Sequence, residues 1–363
     1  MIEVSNPHFR RKGVAMELYG ILAKLPLYIE SYTLEPHVLT VSGGMERHTT
    51  VVQLHGKGLV GEGEDVTYET ADQLNFQKAG AYLDFSRVRN LEEFCEMVAA
   101  LGLFPEGQPP KQEVFRNYRR WAFESAALDL ALKQTDMSLA QAINRKPQPV
   151  RFVVSQRLGD PSSIDLLQKR LNQYPDLRFK IDLVNDWTDE LIRQLVATNA
   201  IDTIDFKSFY KGTPVDIQTD PELYQKVLDA FPHAWIEDPD VEEETRPILE
   251  PHADRITWDA PLHTAEDILN MPFKPKMINV KPSRFGSVQE LLKVYELCKK
   301  QGIGMYGGGQ FELSVGRRQI QYLASLFHPD APNDISPTDY HVDVLGDNLP
   351  ASVLKLDAPS FGF

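Results

Sequence analysis

Five ionisable residues occur at similar intervals between positions 180 and 281, each at the end of a short apolar stretch. In order they are Lys180, Asp205, Glu237, Asp259 and Lys281, and the last three follow one another at intervals of 22 residues. One such residue alone is more often a helix cap or a surface ion pair than a functional group. A lysine, three acids and a second lysine in this order predict a shared site.

Three acids beside two lysines define a particular kind of chemistry. Carboxylates that face one another repel unless a cation joins them, and hard oxygen ligands suit Mg²⁺. A lysine near this metal and near a second cation such as Arg178 is expected to have a lowered pKa, as a general base requires. The metal would accept a substrate carboxylate and stabilise the charge that forms when the adjacent carbon loses a proton. The residues therefore predict a magnesium-dependent proton-abstracting enzyme.

Short apolar segments that alternate with amphipathic helical segments position these residues. The predicted strands span residues 151–155, 178–183, 203–206, 234–237, 255–259, 277–281 and 304–307, with an eighth if 334–336 is also a strand. Strands that alternate with helices predict a parallel sheet, and seven or eight units favour a closed barrel over an open, doubly wound sheet. In a barrel of this kind the chemistry lies at the carboxyl ends of the strands.

The first 146 residues have a different pattern, which predicts an α+β domain. Residues 38–41 and 49–55 are expected to be strands, and the glycine-rich segment 56–64 is typical of a turn. Residues 121–133 predict a helix, because their apolar and alanine side chains fall on one stripe at helical spacing.

Composition and charge exclude several classes of protein. The formal net charge of −14 argues against nucleic acid or an anionic membrane as the main partner, but not against a small carboxylate substrate. The two cysteines cannot build a disulfide framework or a cysteine zinc site. No apolar run approaches the roughly 18 residues of a membrane span, and the start lacks a signal-peptide layout. We expect a cytoplasmic protein, and a homo-oligomer is left open.

Several segments resemble the muconate-lactonizing subgroup of the enolase superfamily. Trp235-Ile-Glu237-Asp-Pro239 resembles its fourth-strand segment, and residues 278–286 resemble its sixth-strand lysine segment. Residues 307–317 and 333–339 resemble the seventh and eighth strands of o-succinylbenzoate synthases and N-acylamino-acid racemases. The resemblance implies an α+β capping domain (1–146), a (β/α)₇β TIM-like barrel (147–337) and a C-terminal tail (338–363) that returns to the cap.

The resemblance also implies a role for each residue. Asp205, Glu237 and Asp259 would bind the Mg²⁺ ion, and Lys180 and Lys281 would be the acid and base on opposite faces of the substrate. Glu312 matches the acidic residue of the family's seventh strand and would support the site from behind its ligands.

Two departures from the family pattern bear directly on the site. The Lys-x-Lys of the second strand is here Arg178-Phe-Lys180, and Arg178 keeps the positive charge but cannot serve as a base. The Asp-x-Asn of the third strand is here Asp205-Phe-Lys207. A lysine two residues further along a strand shares the face of the aspartate, so Lys207 could crowd or partly replace the metal.

Substrate specificity in this family comes from the cap. Its mobile loop is expected within residues 8–20 or 42–48, where Arg47 would either meet an anionic substrate tail or be an ordinary solvated charge. Gly309 and Gln310, in the seventh-strand segment, are further candidates for substrate binding.

Three hypotheses for the function follow. The favoured one is an enzyme of the o-succinylbenzoate synthase or N-acylamino-acid racemase type, and the close alternative is a muconate-type cycloisomerase or a dipeptide epimerase. A hypothesis of another class is a catalytically silent binding protein on the enolase fold, motivated by Lys207 and by Ala260 and Pro261 after Asp259. A zinc hydrolase is disfavoured, because the paired histidine ligands of such sites are missing.

Overall fold

The computed structural model describes residues 18–105, 107–213, 216–357 and 359–363. The elements of the first part are α1 (Leu18–Leu22), β1 (Ser31–Thr40), β2 (Glu46–Gly56), β3 (Leu59–Asp65), α2 (Thr70–Ala79), α3 (Leu91–Ala100), α4 (Val114–Gln134) and α5 (Leu139–Ala142). The elements of the second part are β4 (Val154–Gln156), α6 (Asp165–Gln173), β5 (Phe179–Asp182), α7 (Asp189–Thr198), β6 (Ile201–Asp205), α8 (Pro221–Ala230), β7 (Trp235–Glu237), α9 (Arg246–Leu249), β8 (Ile256–Trp258), α10 (Ala265–Leu269), β9 (Met277–Val280), α11 (Pro282–Phe285), α12 (Val288–Gln301), β10 (Gly304–Gly307) and α13 (Val315–Phe327).

The strands β4 to β10 form one parallel sheet in which chain order and spatial order are the same. The sheet closes on itself through the segment that follows α13. Asn333 bridges Phe152 beside the first strand, and Asp334 bridges Gly308 beside the last one. The backbone N–H groups of Val153 and Asp334 donate across these two seams, each at 2.8 Å. The predicted TIM-like barrel with an α+β cap is therefore confirmed, and its eighth position lies at residues 333–334.

The antiparallel sheet of the cap differs from the sequence prediction at β3. Residues 56–64 were expected to form a turn, but Leu59–Asp65 pairs along the length of β2. The glycines serve close packing rather than a turn. A Cβ atom on Gly61 would lie 2.3 Å from the carbonyl oxygen of Ala126, and one on Gly63 would lie 2.1 Å from that of Ala122. The alanine-rich face of α4 therefore lies directly against the backbone of β3.

The last residues of the chain pack against the cap and the first barrel strand. The backbone N–H of Phe363 donates to Asp129 of α4 at 2.8 Å, and that of Leu354 donates to Val150 at 2.7 Å. These contacts fit a returning tail, while the boundaries at residues 146 and 337 stay predictions. In the described part of the chain, no helix combines the length and the apolar character that a membrane crossing needs.

Candidate active site

The carboxyl ends of the central strands bring the five predicted residues to one end of the barrel. Lys180 lies in β5, and parallel pairing places Asp205 at the end of β6 beside Glu237 at the end of β7. Asp259 and Lys281 come directly after β8 and β9. All five residues are buried, the most exposed being Lys281 at 7%. Charged groups so deeply buried require partners, and the chain supplies them from within this set.

Three carboxylates form the tightest acidic cluster, and one of them was missed from the sequence. Oxygen atoms of Asp205, Glu237 and Asp238 all lie within 4.8 Å of one another. We expected Asp259 in the third position. Regular alternation along β7 would direct Asp238 away from Glu237, but Asp238 has a left-handed backbone with a φ of 50°. Its two carboxylate oxygens accept the backbone N–H groups of Asp259 and Ala260, each at 2.8 Å.

The two lysines lie on different flanks of the acids. The ammonium group of Lys180 is hydrogen-bonded to Glu237 and lies 3.3 Å from Asp205 and 3.6 Å from Asp334. The ammonium group of Lys281 donates to Asp259 at 2.7 Å. The two amines therefore have separate carboxylate partners.

Space for Lys281 depends on a glycine of the seventh strand segment. A Cβ atom on Gly308 would lie 2.7 Å from Cε of Lys281 and 2.3 Å from the side-chain oxygen of Asn279. No larger residue fits at this position without displacing one of these two side chains.

The acids that face the two lysines determine the pKa values of these lysines. Burial favours the neutral amine, but Glu237 and Asp205 outweigh burial and raise the pKa of Lys180 well above its ordinary value. Asp259 raises the pKa of Lys281 in the same way. In the protein alone, both lysines are therefore held as ammonium ions, and the lowered pKa expected beside a bound metal stays a prediction. The ammonium form is favoured because the acids expected to bind a metal face the lysines directly.

The pKa values of the clustered acids shift in different directions. Burial and the neighbouring carboxylates raise the pKa of Glu237 to about 8 against the pull of Lys180. Burial and the nearby acids Asp259 and Asp205 raise the pKa of Asp238 to about 7. Burial also acts on Asp259, but Arg284 and Lys281 overcome it and lower the pKa to about 2. This cluster holds its full negative charge at neutral pH only with additional positive charge beside it.

The residues at the cluster fit a divalent metal. Three hard carboxylate ligands converge within bonding reach of one ion, as Mg²⁺ and similar cations require. One oxygen of Asp259, Oδ1, is buried and has no hydrogen-bond partner among the described residues. An orphaned carboxylate oxygen beside other acids is typical of a cation site. Asp205, Glu237 and Asp238 are therefore the nearest candidate ligands, with Asp259 beside them.

Lys207 contacts the acids, as its position in the sequence indicated. Its ammonium group lies 2.5 Å from Oδ2 of Asp205 and 3.1 Å from Oδ1 of Asp182. Its backbone N–H donates to Oδ1 of Asp205 at 3.0 Å. One residue thus occupies both oxygens of a candidate metal ligand.

Arg178 lies away from this cluster, so the prediction that it acts on the lysines is wrong. The guanidinium group donates to the side chain of Asp202 and to the backbone oxygen of Asn199. Arg178 precedes β5 and Asp202 lies near the start of β6, so the pair is at the amino-terminal end of the strands. In its place, Arg284 follows Lys281 and reaches within 3.7 Å of Asp259.

Arg47 is a structural link rather than a free anion-binding group, which corrects a second expectation. It is buried, 2% exposed, and donates to the backbone oxygens of Val66, Thr67 and Gln310. Its guanidinium group also stacks 4.4 Å from the ring centre of Tyr68. The residue ties the cap to the loop after β10. Residues 8–17 of the other expected loop lie outside the described residues.

The remaining predicted residues, Gly309, Gln310 and Glu312, lie in the loop after β10. The side chain of Gln310 accepts from Tyr68 at 2.9 Å and donates to Tyr118 at 3.1 Å. Glu312 accepts the backbone N–H of Gln310 at 2.8 Å and lies against Gly309, where a Cβ atom would come within 2.3 Å of its carboxylate. Glu312 thus holds the loop, while substrate contacts of Gly309 and Gln310 stay predictions.

A tyrosine inside the barrel was not identified from the sequence. Tyr306 of β10 is fully buried, and its hydroxyl donates to Glu237. Asn279 of β9 donates to the same oxygen at 3.3 Å. The position of Tyr306 two residues before Gly308, on an inward-facing strand position, was the available signal.

Two sequence models of one family match the chain. The model described as "Domain of unknown function (DUF8230) N-terminal domain" matches residues 20–142, and that described as "Domain of unknown function (DUF8230) C-terminal domain" matches residues 146–342. The chain belongs to the DUF8230 family.

Curated proteins and solved structures are similar to this DUF8230 chain. An "N-succinylamino acid racemase" of an Amycolatopsis species is 27% identical over 244 residues, which are 63% of this chain and 64% of the relative. An "o-succinylbenzoate synthase" of Bacillus subtilis strain 168 is 41% identical over 68 residues, 19% of this chain and 18% of the relative. The chain thus matches less than two thirds of the length of these curated relatives.

A solved dipeptide epimerase from Methylococcus capsulatus, complexed with a Mg ion, has the same fold. Its TM-score is 0.64 at 18% identity, with 88% of this chain and 92% of that chain covered. The DUF8230 chain therefore has the fold that its resemblance to the enolase superfamily implied.

Proposed function

We propose that this protein is a divalent-metal-dependent enzyme that removes the proton next to a carboxylate, of the o-succinylbenzoate synthase and N-acylamino-acid racemase type. The observation that carries the proposal is the pair of buried lysines, Lys180 paired with Glu237 of the acidic cluster and Lys281 with the neighbouring Asp259. A purely structural core would replace such a set by apolar side chains at little cost in stability. Its presence at the carboxyl ends of barrel strands supports a catalytic role.

The lysines carry the proton transfer. One lysine, as the neutral amine, takes the proton from the carbon next to the substrate carboxylate, and the electron pair passes into the carboxylate. In racemisation the other lysine, as the ammonium ion, returns a proton on the opposite face. In dehydration the same lysine passes the proton it has taken to the hydroxyl group on the neighbouring carbon, which leaves as water as the C=C bond forms, and the second lysine stabilises the anion by its charge. Protons are balanced on either path, between the two lysines in racemisation and between one lysine and the released water in dehydration.

The acids prepare this chemistry. Asp205, Glu237 and Asp238 would hold the metal. A divalent ion held there would supply positive charge beside the substrate carboxylate and would weaken the pairing of these acids with the two ammonium groups. Hydrogen bonds from Tyr306 and Asn279 hold the carboxylate of Glu237 in place beside the other two acids of the cluster.

The proposed substrate is an N-acyl amino acid or a related succinylated acid. The names of the curated relatives, an N-succinylamino acid racemase and an o-succinylbenzoate synthase, support this class. A dipeptide substrate is the alternative, supported by the fold shared with a dipeptide epimerase. Both classes carry a carboxylate beside an acidic C–H bond, so one experiment addresses them together.

The test is α-deuterium exchange in D₂O, followed by loss of the α-proton signal in ¹H NMR. The wild-type protein with Mg²⁺ is incubated with N-succinyl amino acids, N-acetyl amino acids and dipeptides. We expect exchange with at least one of these classes, and a fall of about 10²- to 10⁴-fold for Lys180→Ala and for Lys281→Ala. Lys211→Ala is the matched control, because this lysine pairs with Asp240 on the surface.

Absence of exchange would contradict the proposed function. If folded wild-type protein binds Mg²⁺ but exchanges none of the panel, the proposal is wrong and the silent binding protein is favoured. Full exchange by either active-site variant would reject the role of that lysine alone.

A further inference from the structure

Lys207 makes a two-point contact with Asp205 that goes beyond an ordinary ion pair. Its backbone N–H bonds to one carboxylate oxygen at 3.0 Å, and its ammonium group lies 2.5 Å from the other. The left-handed backbone of Lys207, with a φ of 54°, permits this geometry. Both oxygens of a candidate metal ligand are thus engaged by the same residue.

A second acid lies within reach of the same ammonium group. Oδ1 of Asp182, at the end of β5, is 3.1 Å from Nζ of Lys207. The other oxygen of Asp182 accepts from Arg157 at 3.1 Å. The backbone pairing of β5 and β6 places Asp182 beside Asp205. Lys207 can therefore release Asp205 without leaving its charge unpaired in a site where its side chain is only 15% exposed.

We propose that Lys207 is a built-in competitor of the divalent cation for Asp205, and that Asp182 is the partner to which it withdraws. The inference rests on the metal site of the proposed function. A divalent cation binds Asp205 only by displacing the ammonium group or by sharing the carboxylate with it. Either event costs part of the binding free energy, because two positive charges then lie close together. Lys207 thus sets the concentration of metal at which the site fills, and Asp182 lowers the cost of filling it.

The experiment is a metal titration of the full chain by isothermal calorimetry with Mg²⁺. Binding of Mn²⁺, measured by loss of the free-ion signal in electron paramagnetic resonance, is an independent readout. The variants are Lys207→Met, Asp182→Asn, the double variant and Lys211→Met. Lys211 is the matched control, because it lies in the same loop and has the same charge, but pairs with Asp240 and Glu242. Lys207→Gln is a second variant should Lys207→Met fold poorly.

We expect Lys207→Met to bind both ions about 10- to 100-fold more tightly than wild type, the range typical of groups that surround metal ligands. Asp182→Asn should bind them more weakly, because Lys207 then depends on Asp205 alone. In the Lys207→Met background the effect of Asp182→Asn on metal affinity should shrink, since no ammonium group is left to move from Asp205 to Asp182. This non-additivity separates the proposal from a general loss of negative charge. Lys211→Met should bind as wild type does.

Equal metal affinity of wild type and Lys207→Met would overturn the inference, as would equal effects of Asp182→Asn in the two backgrounds. Absence of metal binding in wild type and both Lys207 variants would also overturn it. The deuterium exchange experiment remains separate. Exchange by wild type with unchanged metal affinity in Lys207→Met leaves the proposed function intact, and a tighter metal site without exchange rejects the function alone.

Discussion

Two residues with left-handed backbones shape the chemistry of the site. Lys207 has a φ of 54° and Asp238 a φ of 50°. Lys207 comes two residues after Asp205 and Asp238 directly after Glu237, both predicted acids of the site. This conformation is uncommon for residues other than glycine and asparagine, and it occurs often at functional sites. It directs Asp238 into the acidic cluster and lets Lys207 contact Asp205 twice. Strand alternation alone predicts the place of Lys207 but not that of Asp238.

Asp259 predicts how stability responds to acid. Its pKa is about 2 in the folded protein, below the ordinary 3.8. A lowered carboxyl pKa adds stability above the unfolded value, and that stability is lost as the pH falls from about 4 towards 2. The loss corresponds to about 2 kcal/mol. Urea unfolding at a series of pH values should show that wild type loses about this much more than Asp259→Asn. Parallel pH curves for the two proteins would contradict the assigned ion pairs.

The barrel strands were predicted better than the cap strand β3, because their pattern is local whereas that of β3 depends on a distant packing partner. The barrel strands were placed within a few residues because each is a short buried run between helices, as for β10, predicted and found at residues 304–307. The strand β3 was missed because Gly61 and Gly63 are also typical of turns. Only the packing partner α4 distinguishes the two readings, and it lies about sixty residues later in the chain. Local patterns hold no information on such a contact.

The contact of β3 with α4 predicts that one methyl group added to β3 at Gly63 lowers the free energy of unfolding substantially. Gly63→Ala places a Cβ atom 2.1 Å from the carbonyl oxygen of Ala122, and the helix must move to admit it. We expect a loss of about 1–3 kcal/mol in the free energy of unfolding, as for overpacked cores. Gly102→Ala is the control, since a Cβ atom there meets no atom within 4 Å. Urea denaturation measures both. Equal stability of the two variants would show that β3 and α4 are not in close contact.

In the molecule as a whole, the cap and the barrel share buried polar groups as well as apolar surface. Glu64 of β3 accepts the backbone N–H groups of Leu313, Ser314 and Gly316, at the start of α13. Arg47 of β2 donates to the backbone oxygen of Gln310, in the loop after β10. The residues of each pair are about 250 positions apart in the chain. Their role in joining the cap to the barrel therefore could not be predicted from local sequence patterns. Asp205, Glu237 and Asp259 were found because strand ends are a local feature, whereas the roles of Glu64 and Arg47 were missed because their partners are distant in the chain.

Glu64→Gln tests this coupling of cap to barrel. The amide keeps the size of the side chain but replaces one acceptor oxygen by a donor, so the loop before α13 loses hydrogen bonds. We expect faster hydrogen exchange at the amides of residues 313–316, and a loss of about 1–2 kcal/mol in stability, in the range found for lost helix caps. Exchange in α7, which follows β5, is the internal control. Unchanged protection at residues 313–316 would show that Glu64 does not hold this loop.

The central claim is that Lys180 and Lys281 move protons on opposite faces of one substrate carbon. The most direct measurement is α-deuterium exchange into the separate enantiomers of the substrate that wild type exchanges best. At saturating Mg²⁺, we expect Lys180→Ala to lower exchange with one enantiomer and Lys281→Ala with the other, each by about 10²-fold or more. If both variants lose the same enantiomer, or neither is selective, the two lysines do not flank the substrate and the proposed mechanism is wrong.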